Sequence, residues 1–166
     1  MRSLTAREVM QRLKVPAWKL PGMARHMRSV KLAASGSTPV FPGACELLAA
    51  LKAAGVKVAI VSSDSEASVR AVLGPRTAAL VDHYDCGAAV FGKAAKFRRA
   101  AKRAGVARGQ ALSVGDEVRD IEAARQAGIP AAGVAWGYTL PQALAARKPD
   151  HMFETFPQMA ALLLGE

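Results

Sequence analysis

The residues best placed to do chemistry lie in Ala111-Leu-Ser-Val-Gly-Asp-Glu-Val-Arg-Asp120, which runs on to Gly128. A short apolar run turns at Gly115 and puts Asp116 at the end of a strand. A helical pattern follows, with Val118, Ile121, Ala124 and Ala127 on one stripe and Gly128 as its stop. Asp120 comes four residues after Asp116, one helical turn on, so both carboxylates can look into one mouth. Two hard oxygen donors beside a turn suit Mg²⁺, which takes few protein carboxylates and fills its shell with water or phosphate oxygens. An Asp116 that merely caps the helix is the plainer alternative.

Two further groups belong with this pair. Ser62 and Ser63 follow the β-branched run Val56–Val61 and precede a helix, which makes an anion site or a simple N-cap. Lys93 opens a basic helix, where its charge opposes the helix dipole, so a functional reason is worth weighing. It is otherwise one cation among Lys96, Arg98, Arg99, Lys102 and Arg103. The carboxyl ends of a parallel sheet share one edge, so serine hydroxyls, a lysine and paired carboxylates would converge there to hold a phosphoryl group and Mg²⁺.

The elements that must carry these groups read in order. Residues 1–38 are helical, with Thr5 and Glu8 in capping-box spacing, Trp18 as packing, a second helix over Met23 to Ala33 and a solvated His26. Residues 35–39 form a linker, giving a small helical unit over 1–38 and an α/β unit over 39–166. From Val40 the pattern alternates. Helices are expected at Ala44–Ala54, Glu66–Leu73, Lys93–Ala104, after Asp116, at Leu140–Ala146 and at Phe156–Leu164. Strands are expected at Val56–Val61, weakly at Asp82–Cys86, and at Gln110–Val114, Ala131–Trp136 and His151–Phe153. The fold class is therefore α/β, three layers, with a parallel sheet and helices on both faces.

Composition narrows the function classes. The 166 residues are 51% apolar with a formal charge of +10, enough for one moderate core. No apolar run approaches the roughly 20 residues of a membrane span. The charge suits anionic partners, or simply an Arg-rich surface. Cys45 and Cys86 lack metal-type spacing and read as small buried thiols in a cytoplasmic, reducing setting. Only Phe97 interleaves the basic helix, so a solvated face accounts for its cations better than nucleic-acid binding does. Oligomeric state leaves no signal.

The set resembles the haloacid dehalogenase superfamily, in its phosphoglycolate-phosphatase-like branch. The residues that carry the likeness are Phe41-Pro-Gly43, the strand ending in Ser62, Lys93 in Phe-Gly-Lys, Gly115-Asp116-Glu-Val-Arg-Asp120, Ala127-Gly128 and Val134-Ala-Trp-Gly-Tyr138. It spans residues 40 to about 160. The resemblance implies a Mg²⁺-dependent phosphatase of a small phosphorylated metabolite. Ser62 would bond the phosphoryl group, with Ser63 beside it, and Lys93 would neutralise it. Asp116 would ligate the metal and Asp120 would support it, directly or through water. Residues 1–38 would be the remnant of a substrate-selecting cap.

One part of that pattern is missing. Such enzymes attack with an aspartate of an Asp-x-Asp motif on a central first strand, whereas here the first aspartate is Asp64. Without that strand a gap of about 10 Å, two strand spacings, should separate the strands ending at Ser62 and Asp116. A chain that starts too late explains this best, because the residues serving only catalysis remain. Direct pairing of the two strands, or a strand from another chain, are the alternatives. In the first two cases the polypeptide should be inactive by itself, and a non-catalytic phosphate binder is the competing function.

Overall fold

A computed structural model describes residues 22, 39–87 and 92–165 of the chain. The expected helical unit over 1–38, with Thr5, Glu8, Trp18 and His26, lies outside the described residues, as does Phe91.

The first helix, α1 (Ala44–Ala53), starts after Gly43 at φ 90° and buries Leu47 and Leu51. Gly55 closes it at φ 75°, with Val56 N donating to Leu51 O. Strand β1 (Ala59–Val61) pairs in parallel with β2 (His83–Asp85), Ala59 opposite His83 and Val61 opposite Asp85. It is shorter than the β-branched run suggested. Val56 and Val58 pack against the cluster of Leu47, Leu51, Phe153 and Met159, so their hydrophobicity serves the core outside the ladder.

Between these strands runs α2 (Glu66–Ala78), broken at Gly74 (φ 72°, ψ 163°) just before Pro75. The break falls where Leu73 was expected to end the helix, since proline bars α geometry from the residue before it. Next come α3 (Gly92–Ala104), β3 (Ser113–Gly115) and α4 (Val118–Ala127). A short 3₁₀ turn at Arg108–Gln110 takes the position where β3 was expected to begin. The chain closes with β4 (Ala131–Val134), α5 (Pro141–Ala145), β5 (His151–Phe153) and α6 (Phe156–Leu164).

Alternation along β4 assigns the layers. Ala132 faces the cluster of α1 and α6, while its neighbour Ala131 faces Val118, Ile121 and Ala124 of α4 and Leu144 of α5. Successive strand residues point to opposite sides, so helices cover both faces of a parallel sheet. The α4 stripe is buried as its periodicity requires, with Ile121 1% and Ala124 0% exposed.

Among the described residues the sheet is in two parts, β1–β2 and β3–β4–β5, every pairing parallel. Direct pairing of β1 with β3, one of the alternatives raised by the missing Asp-x-Asp strand, does not occur. Instead Val114, in mid-β3, is 40% exposed, and β3 and β1 end on a shared cavity.

Asp82 ties the strand ends beneath. Its carboxylate accepts from Lys52 Nζ (2.7 Å) and Val58 N (2.9 Å). The Lys52 hydrogen bond first, then the Val58 N–H, lowers its pKa from 3.8 to about 2. A depressed carboxyl pKa stabilises the fold above the unfolded value and the gain is lost as pH falls toward the folded one. Asp82→Asn should therefore lower stability at pH 7 by about 1 kcal/mol, after screening by water around the lysines. It should also flatten the decline of the melting temperature between pH 4 and pH 2 that the unaltered chain shows. Thermal melts across that window measure both effects.

Candidate active site

At the end of β1 the ladder runs one residue further, with Ser62 N donating to Asp85 O. Ser62 Oγ then accepts from Asp64 N (3.1 Å), a side-chain turn that swings the chain out of the sheet. The cap of α2 is Ser65, whose Oγ accepts from Ser68 N (3.1 Å). Ser62 and Ser63 are thus not the N-cap that the plainer sequence reading offered.

Lys93, the second residue of α3, reaches across to α4, where its Nζ lies 2.5 Å from Asp120 Oδ1. That bond offsets the unfavourable charge at a helix start, and Asp120 in the first turn of α4 has the sign the dipole favours. Asp120 Oδ2 accepts from Glu117 N (3.2 Å), so both oxygens are engaged. The side chain is 6% exposed and presses on Gly115, where an added Cβ would sit 2.4 Å from Asp120 Cβ. Gly115 is therefore the last residue of β3 and a space-maker, with the turn following it.

Asp116 is held from the other side. Its Oδ2 accepts from Tyr138 N (2.8 Å) and its carbonyl from Thr139 N (3.1 Å). Gly137 makes that approach possible, because a Cβ there would lie 2.1 Å from Asp116 Cβ. In the sequence, this role is marked only by a glycine between two aromatics, Trp136 and Tyr138.

All five expected residues, Ser62, Ser63, Lys93, Asp116 and Asp120, line one cavity of about 280 Å³ with Asp64, Glu117 and Arg119. An adjoining space of about 390 Å³ shares Ser62, Ser63, Lys93 and Arg119, and adds Lys96, Glu122 and Gln126. Arg119 and Glu117 were missed; Arg119 donates to Glu117 Oε1. Burial opposes the Arg119 charge, but the Glu117 bond and the nearby Asp120 and Asp116 outweigh it and raise its pKa.

The smaller cavity gathers four carboxylates against two cations. That excess would repel a bare phosphate and suits a divalent cation carrying it. Its donors are the hard oxygens that Mg²⁺ takes. Asp116 commits only Oδ2 to bonds among the described residues, whereas Asp120 commits both oxygens. Among the described residues, no group of three or more His, Cys, Asp or Glu forms an all-protein metal cage. A cation here would depend on water and phosphate oxygens for most of its shell.

The basic helix is less free than its sequence suggested. Arg99 forks onto Asp85 (2.9 and 3.0 Å), Arg98 bonds Gln126 O, and Lys96 is buried. Cys45 and Cys86 are unbridged and only half-buried, against the expectation of full burial. No helix among the described residues is long and apolar enough to cross a membrane.

The chain is similar to several known proteins. A phosphoglycolate phosphatase of Synechococcus elongatus is 32% identical over 161 residues, covering 93% of this chain and 74% of that protein. The probable phosphatase IndB of Dickeya dadantii is 33% identical over 126 residues, 72% of this chain and 54% of its own length. A solved structure described as a putative phosphoglycolate phosphatase, from Lactobacillus plantarum, superposes with a TM-score of 0.82 at 19% identity, covering 96% of this chain and 78% of that one; it speaks for the fold alone. The sequence model of the haloacid dehalogenase-like hydrolases matches residues 6–128. The chain belongs to that family of hydrolases, in its phosphoglycolate-phosphatase-like branch.

Proposed function

We propose that the shared cavity is the phosphoryl site of a Mg²⁺-dependent phosphomonoester hydrolase for a small phosphorylated metabolite. The carrying observation is the convergence of Ser62, Ser63, Lys93, Asp116 and Asp120 on one cavity at the carboxyl ends of β1 and β3. The 32% identical phosphoglycolate phosphatase supports a small, acidic substrate.

In this reading the Ser62 hydroxyl and the Ser63 backbone N–H bind phosphoryl oxygens, and Lys93 neutralises charge that develops on them. Asp116 would hold Mg²⁺, and Asp120 orients Lys93 and would support the metal, directly or through water. The bound cation would supply charge stabilisation at the phosphoryl oxygens.

No Asp-x-Asp pair is present in the sequence, so no attacking aspartate of that kind reaches this cavity. We infer that these 166 residues alone bind phosphate without turnover. Calorimetric titration with inorganic phosphate should show binding that needs Mg²⁺ and is lost in Asp116→Asn. Release of phosphate from a monoester should not exceed the buffer rate. Mg²⁺-dependent turnover would refute the inertness, and absence of phosphate binding at millimolar Mg²⁺ would refute the site.

A further inference from the structure

Lys96 is a buried charge that this scheme leaves unused. It is 3% exposed, on the face of α3 that packs against β1 and β2. Its Nζ donates to Ser62 O (2.8 Å), Asp85 O (3.1 Å) and Gly87 O (2.5 Å), with Asp85 Oδ1 at 3.9 Å. An ammonium has three N–H donors, and three carbonyls take them.

Burying an ammonium is costly until hydrogen bonds offset the lost hydration. An apolar side chain would fill the same space without that cost, so what the ammonium adds is its hold on the three carbonyls. They lie at and just beyond the ends of β1 and β2; Asp85 O also accepts from Ser62 N, while the carbonyls of Ser62 and Gly87 lie past the last strand residues, where the ladder no longer supplies donors. One of them is the carbonyl of Ser62, in the same peptide unit as the Ser63 N–H. Fixing that plane fixes the direction of the N–H that follows the strand. Lys96 also lines the larger cavity with Ser62, Ser63 and Lys93, so its charge stands behind the same wall.

We propose that Lys96 is a positioning residue for phosphate: it locks the Ser62–Ser63 turn in anion-binding geometry and places a second fixed positive charge behind it. The inference rests on the phosphoryl-site reading above. Its test measures the affinity of the full chain for inorganic phosphate with Mg²⁺ present, at a temperature where circular dichroism shows each variant folded. Lys96→Met should bind at least tenfold more weakly. Met159→Ala, a core change on the opposite face of the sheet, should bind as the unaltered chain does despite its own loss of stability.

Equal affinity in Lys96→Met, or a loss no greater than in Met159→Ala, would overturn the positioning role and leave the site standing. No phosphate binding by the unaltered chain would overturn both. Should Lys96→Met not fold, the unaltered chain still decides. The Lys96 ammonium, shielded from water, should give a resolved ¹H–¹⁵N signal that shifts on saturation with phosphate. A signal that stays put while the Ser63 amide moves would overturn the proposal.

Discussion

Alanine at Gly115 should lower the stability of the chain by about 2 kcal/mol and weaken Mg²⁺-dependent phosphate binding at least tenfold. The new methyl carbon would sit 2.4 Å from Asp120 Cβ and 2.5 Å from Asp120 Oδ2, so Asp120 has to move. It has little room to do so. It is 5% exposed, its Oδ1 is held by Lys93 and its Oδ2 by Glu117 N. Forcing an extra methyl into such a place costs about 1–3 kcal/mol. Lys93 would be displaced with its partner, which carries the damage into the phosphate site. Gly115 is not among the glycines at positive φ, so its backbone accepts alanine and the effect is steric. Gly128→Ala makes the contrast. That residue holds φ 71° with nothing nearer than 3.8 Å, and it closes α4 at the end remote from Asp120. It should cost about 1 kcal/mol and leave phosphate affinity alone. Thermal melts and phosphate titrations on the two variants check both halves. An unchanged phosphate affinity in Gly115→Ala would separate Asp120 from the site.

What could be read beforehand divides along physical lines. The α4 stripe was legible because one helical period decides which side chains face the sheet, and Val118, Ile121, Ala124 and Ala127 are all buried. The convergence of Ser62, Lys93 and Asp116 followed from parallel topology, which puts strand carboxyl ends on one edge. The separation of β1 from β3 was legible in the missing Asp-x-Asp strand. Periodicity says nothing, however, about which backbone carbonyls will lack partners. Lys96 counted as one more wet cation because its helix is basic on every turn; only docking of α3 on β1 and β2 sets it apart. Asp116 and Tyr138 are 22 positions apart, and the close approach that needs Gly137 exists only once β3 and β4 lie side by side. The run from Val56 was overextended for a related reason, since apolar patterning marks burial and does not distinguish a ladder from a packed approach to one.

The Lys93–Asp120 pair offers a sharper division between holding the fold and holding phosphate. Its geometry is short, and the side chains are 24% and 6% exposed, so it is neither a surface pair nor a wholly buried one. Lys93→Met leaves the Asp120 carboxylate enclosed with one bond, from Glu117 N; Asp120→Leu leaves an ammonium facing an apolar group. Each single change should cost about 2 kcal/mol, less than the cost for a fully buried pair because Lys93 keeps some water. The double variant should cost less than the sum by about 1–2 kcal/mol, since it strands neither charge. Denaturant melts of the four chains give that coupling. Phosphate affinity should follow a different order. It should fall about 10- to 100-fold in Lys93→Met, the worth of one charge-assisted contact, and should not recover in the double variant. Asp120→Leu keeps the ammonium but frees its position, so its affinity should fall between those of the unaltered chain and Lys93→Met. Recovery of binding together with stability would mean that Lys93 serves only the fold. Loss of binding with stability restored would place its charge on the phosphate.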